Sequence, residues 1–236
     1  MKKFGIRLLF LLFAPTLFVV PVSAQIKPTL QQIKTQQIKV MSAMEAISYP
    51  AKTTRVHNFY INKNWQNSFV INLSGEILYF NGRYNVLSKT IEFIQGGKER
   101  VIYPRKIKAA VVGEKVLIPI SAQQIQQVDN NRYVEVLSSG NLHLLNSYIL
   151  DTRLDSGSSI SFEGTGKKTY FVDEVLYYTT DFKNIQKLPK SKNKILDVFI
   201  GNKESVAAFA KTNQLRFNTK EDLILLFDYY NRILGQ

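Results

Sequence analysis

Residues 106–120 read KIKAAVVGEKVLIPI. Ile107, Ala109 and Val111 alternate with Lys106, Lys108 and Ala110, the chain turns at Gly113-Glu114, and Val116, Ile118 and Ile120 carry it back. A period of two gives a ribbon one dry and one wet face, and a two-residue turn containing glycine joins two such ribbons into a hairpin. The same signature recurs on both sides. Upstream, Phe69, Ile71 and Leu73 share one face, and Ser74-Gly75 leads into residues 76–80. Ile91 and Phe93 then alternate with Thr90 and Glu92 before a Gly96-Gly97 turn into residues 100–103. Downstream, residues 132–137 and 142–150 meet at 138–141, and residues 169–178 close the series. Strands that follow one another without crossover helices predict an antiparallel sheet. The expected fold class is α+β: an antiparallel β-meander, sandwich or open roll, over residues 55–188, then a small C-terminal helical subdomain over residues 189–236.

In that tail the period lengthens. Ile195, Leu196 and Phe199 mark a first short helix, Val206 and Phe209 a second starting near Asn202, and Gly201 separates the two. Asn218 or Thr219 caps a longer helix with Glu221 and Asp222 in its first turn, where the helix dipole favours negative charge. Leu223, Leu226, Phe227, Tyr230, Ile233 and Leu234 form its apolar stripe, which predicts packing on the sheet. Ahead of the sheet, residues 25–54 form a polar leader. Leu30, Ile33, Met41 and Met44 place it on a helix with one apolar face, while Ile38 and Val40 blur the stripe and leave a loose leader as the alternative.

The first residues read as an address. Lys2, Lys3 and Arg7 precede an apolar run from Leu8 to Val20, and Val22-Ser23-Ala24 puts small residues where signal peptidase reads them. Residues 1–24 are expected to be a cleaved signal peptide. Pro15 and Pro21 interrupt the run and argue against a retained anchor, and the chain has no cysteine to carry a lipid. The expected location is periplasmic or secreted, with no membrane span after cleavage and intracellular nucleic acid excluded as a partner. Removing Lys2, Lys3 and Arg7 from 31 basic residues leaves 28 against 18 acidic ones. That excess serves solubility or suits an anionic envelope component or a protein partner, and the densest basic stretch, through Lys183, Lys187, Lys190, Lys192 and Lys194, reads as a solvated connector ahead of a helix. Without cysteine there is neither disulfide nor thiolate chemistry. The oligomeric state stays open.

Catalytic patterns fail one by one. Gly166-Lys167 invites a phosphate loop, but Ser161 stands where its first glycine belongs and Lys168 where its hydroxyl belongs. Ser156 to Ser161 lacks a nucleophile elbow. The two histidines, His57 and His143, have no metal-binding spacing, and no metal or cofactor is expected. Glu92, Glu135, Asp151, Glu163, Asp173 and Glu174 are the carboxylates that a glycan- or peptide-directed hydrolase would have to pair by folding. Phe59, Tyr60, Trp65, Tyr177-Tyr178 and Tyr229-Tyr230 supply rings for core or for ligand stacking. Asn72-Leu73-Ser74 matches a glycosylation sequon at a hairpin turn.

Three stretches carry a resemblance: residues 65–92, with Trp65, Gly82-Arg83-Tyr84-Asn85 and Thr90-Ile91-Glu92; residues 168–187, around Tyr170-Phe171; and residues 194–231, with Asp222-Leu223 and Tyr229-Tyr230-Asn231. Together they resemble a group of exported proteins of unassigned function common in Bacteroidota, over most of the chain after residue 24. The resemblance implies a bacterial envelope or secreted setting and supplies no catalytic or binding residue. The residues selected as a candidate binding site are Trp65, Arg83, Tyr84 and Asn85; none is selected as catalytic. The reading favours a non-enzymatic module that binds through a sheet face or through the groove between sheet and helical tail. The alternatives are the hydrolase and a structural subunit joined through a long unprotected strand edge.

Overall fold

The computed structural model describes residues 30–51, 59–121, 124–125, 132–154 and 168–235. Residues 1–24, expected to be a signal peptide, His57, the Ser156 to Ser161 segment, Glu163 and Gly166-Lys167 lie outside them. The chain divides into two compact units, 1–37 and 38–236. Of the first, only residues 30–37 are described, as the start of helix α1 (Leu30–Ile47); the architecture below belongs to the second.

Among the described residues eleven strands form one sheet: β1 (Ser48–Pro50), β2 (Gln66–Asn72), β3 (Ile77–Asn85), β4 (Thr90–Gln95), β5 (Lys98–Ile102), β6 (Ile107–Val112), β7 (Lys115–Ile120), β8 (Arg132–Ser138), β9 (His143–Leu154), β10 (Lys168–Thr179) and β11 (Gln186–Lys187). Helices α2 (Lys192–Leu196), α3 (Lys203–Thr212) and α4 (Lys220–Leu234) follow. All pairings within the sheet are antiparallel, in the order β1-β5-β4-β3-β2-β6-β7-β8-β9-β10-β11. The expected hairpins are present, and the β4–β5 turn uses Gly96 and Gly97 at φ +58° and +73°. Two successive positive φ values are what the tight turn between twisted strands demands.

The meander breaks twice: β1 pairs with β5 and not with β2, and a second break follows β5. β6 pairs with β2 instead of β5, although a single 3₁₀ turn, Pro104–Lys106, joins β5 to β6. From Ile102 to Ile107 the chain reaches at most ~17 Å. On a flat sheet β5 and β6 would stand four spacings apart, ~19 Å. The sheet therefore curls, and one bond records how far: Tyr133 Oη on β8 donates to the carbonyl of Ile102 on β5 at 3.3 Å, across six strand positions. This is a single rolled sheet, and two stacked sheets are not required.

Curling decides which faces are dry. Val70, Leu78, Ile91, Phe93, Ala110, Leu117 and Tyr133 fill the interior, and Met44 and Ile47 of α1 pack into the same core. The expected dry face of β6 is corrected. Phe69, Ile71 and Leu73 lie on the outer face with Val111, and Leu73 is 59% exposed. Their neighbours Ser68, Val70 and Asn72 are buried. A bulge opposite Ile71 and Asn72 shifts β6, so that Ile107, Ala110 and Val112 face in. On β7, Leu117 is interior and Val116 exposed, while Ile120 is buried against Ile125, Val134, Leu145, Tyr177 and Ile185 on the opposite side. On α1, Met44 is buried as expected, Val40 is half-buried and Met41 exposed.

The tail packs on the continuation of the interior face. Leu142 and Leu144 meet Leu196, Phe199, Leu223, Leu226, Phe227 and Tyr230, while Leu234 ends exposed. Polar contacts fix the seat of α4. Asn231 Oδ1 accepts from the N–H of Leu142 at 2.9 Å, its amide nitrogen donates to the Leu142 carbonyl at 2.8 Å, and Ser138 Oγ donates to Asp228 at 2.5 Å.

Candidate functional site

The four residues chosen from the sequence separate. Tyr84 points into the roll, 1% exposed, edge-on to Tyr133 and near Tyr148. Burial pushes its phenol well above the usual range. It is a core residue. Trp65, Arg83 and Asn85 come together on the outer face, with two partners the sequence reading had noted separately, Tyr60 and Glu92.

The Arg83 guanidinium lies between two rings, 3.9 Å from the centre of Tyr60 and 4.1 Å from that of Trp65. Its Nε and Nη2 both donate to Glu92 Oε2 at 3.1 Å, and Glu99 approaches to 3.7 Å. Tyr60 Oη donates to the same Glu92 oxygen at 2.8 Å, and Asn85 Nδ2 donates to the other at 2.8 Å. Register makes the cluster: Arg83 stands opposite Glu92, and the Tyr60–Asn85 bridge brings in the segment before β2. Burial first, then the bond to Glu92, raises the Tyr60 phenol to about 12. Chemically this is a closed clamp. The cation is stacked on both faces and faces two carboxylates, so it offers little to an anion.

Inside the roll a second carboxylate is equally occupied. Glu135 accepts from Lys115 Nζ at 3.0 Å, Tyr148 Oη at 2.5 Å and Asn146 Nδ2 at 3.4 Å. It borders a cavity of about 340 Å³ with Tyr84, Lys115 and Leu117. Burial and the neighbouring carboxylate hold the Tyr148 phenol far above its ordinary value, so it remains a protonated donor. His143 stands half-buried beside Phe182, ring centres 4.2 Å apart, and within 3.2 Å of Ser139 Oγ. Burial lowers its pKa.

A further concavity is a groove of about 490 Å³ where β10 meets the tail. Its apolar wall is Leu188, Pro189, Phe217 and Leu223, and Asp173, Glu174, Lys187 and Lys190 stand at its lip. Lys220 Nζ bonds Glu174 at 2.6 Å, and Lys192 lies over the Phe217 ring at 5.3 Å. Four lysines thus face two carboxylates. Sequence reading had seen this stretch as a basic connector; what it lacked was the apolar wall, because Phe217 and Leu223 arrive from some thirty residues downstream of Leu188.

Against known proteins the chain stands apart: no family model, curated protein or solved structure matches it. No described helix is long and apolar enough to cross a membrane.

Proposed function

We propose that the chain is an exported, non-enzymatic binding module that holds an anionic partner in the groove between β10 and the helical tail. The observation that carries this reading is the groove's make-up: an apolar wall with Lys187 and Lys190 in its lining and Lys192 over Phe217, while Lys220 pairs with the groove's Glu174. Such a lining attracts negative charge at long range, while the wall selects among the anions that arrive. The saturated carboxylates support the non-enzymatic side. A general acid or base needs a lone pair or a proton to give, and Glu92 and Glu135 are each engaged by a cation and two further donors. They also lie on opposite faces of the sheet.

The test is retention of the exported protein on envelope extracts at low and high salt. Retention that fades with salt, and that a Lys187→Glu/Lys190→Glu variant lacks, is the expected result, because screening shortens the reach of exposed charges. Equal retention of parent and variant would overturn the placement of the site.

A further inference from the structure

Resting on that reading, we infer that the anionic partner is an acidic, extended peptide which adds a strand to the free edge of β10. The edge is open where the groove lies. β11 pairs only with Tyr177 and Tyr178, and the last bond on that side runs from the N–H of Leu188 to the carbonyl of Leu176 at 2.9 Å. Pro189 follows, and the next element, α2, begins at Lys192. In an antiparallel strand alternate residues direct both backbone groups to the same side, so Glu174 and Val172 face the edge that Leu176 faces. Among the described residues no strand pairs with them there. Glu174 N–H is satisfied instead by the Asp173 carboxylate, at 2.8 Å. A carboxylate folded over its own strand keeps an edge from pairing at random.

A peptide continuing the line of β11 past Leu188 would meet this ladder. Its alternate side chains would fall against Leu188, Phe217 and Leu223, and the others would point to Lys187 and Lys190. Backbone bonds supply affinity in strand addition, and pockets for every second side chain supply specificity. A lipid head group or a polysaccharide could answer the lysines but not the ladder.

The probe is a fluorescent peptide of about eight residues alternating glutamate and valine, compared with the same peptide N-methylated at alternate amides. Strand addition predicts binding of the plain peptide and a loss of about tenfold or more on methylation of the amides that face β10. Glu174→Pro should reproduce that loss, since its N–H points away from β9 and an edge strand tolerates proline there. Should Glu174→Pro fail to fold, the methylation comparison on the parent protein decides alone. Equal affinity for plain and methylated peptides, or binding of phosphatidylglycerol vesicles with no peptide binding, overturns strand addition and leaves the anionic groove standing. Undiminished peptide binding by Lys187→Glu/Lys190→Glu would instead bring down the reading beneath it.

Discussion

Replacing Gly140 by alanine should loosen the helical tail from the sheet. Gly140 lies in the β8–β9 turn directly under α4, and a methyl group there would sit 2.4 Å from Cγ, 2.7 Å from Oδ1 and 2.8 Å from Cβ of Asn231. Carbon atoms rest at ~3.5–4.0 Å. Rotating the Asn231 side chain cannot relieve the contact with its Cβ, which is fixed to the helix, so α4 must lift. Lifting breaks the two bonds between Asn231 and the backbone of Leu142, at 2.9 and 2.8 Å. At ~1 kcal/mol each, with ~1 kcal/mol more for overpacking, the expected loss is about 3 kcal/mol. Urea denaturation followed by circular dichroism reads it directly: with a slope of ~2 kcal/mol per molar the midpoint falls by about 1.5 M. Asn231→Ala removes the same bonds, so the double variant should cost clearly less than the two single costs added together. A shift below about 0.5 kcal/mol for Gly140→Ala, or strict additivity with Asn231→Ala, would refute the reasoning.

Arg83→Lys should destabilise by about 1–2 kcal/mol in the same assay, because an ammonium cannot lie flat between Tyr60 and Trp65; an unchanged midpoint would mean the stacking contributes nothing. Leu78→Ala, at a fully buried position, should cost about 2–5 kcal/mol, whereas Tyr79→Ala, 71% exposed beside it, should cost well under half as much; comparable losses would show the strand facing the other way. With its pKa raised from 10.0 to about 12, Tyr60 binds its proton more tightly in the folded state than in the unfolded chain. Its contribution is complete below pH 10 and is lost as pH rises through that window. Tyr60→Phe should accordingly show a shallower alkaline decline in stability than the parent, and parallel curves would contradict the Tyr60–Glu92 contact.

Turns, strand succession and the three tail helices were legible because each is a local signal: glycine where φ is positive, period two, period 3.6. Facing was harder. On β2 the outer side carries Phe69, Ile71 and Leu73 while the buried side carries Val70 between Ser68 and Asn72, so alternation announces a strand without choosing its dry face. The bulge opposite Ile71 and Asn72 then resets β6 by one residue, which nothing in residues 106–112 signals. The candidate site divides in the same way. Arg83 and Asn85 were found from a local run, and Tyr84 went with them although a strand sends neighbours to opposite faces. Nothing in the sequence joins Glu92 to Arg83, since that pairing depends on the β3–β4 register. The groove assembles from β10, the segment around Leu188 and the start of α4. No pattern within one of those segments specifies the others.

The short strap between β5 and β6 also bears on how the chain reaches this state. The β2–β3 and β4–β5 ladders each close over a few residues, but Asn72 finds its partner Ile107 thirty-five positions along the chain. Closing so long a loop costs entropy before any contact rewards it. The hairpins are therefore expected early and the β2–β6 seam late, with Tyr103–Lys106 acting as the hinge pin that delivers β6 to its neighbour once β2 to β5 have bent. A nascent chain halted before Ile107 would hold a bent ribbon with a raw margin along β2, waiting for the strand that completes it.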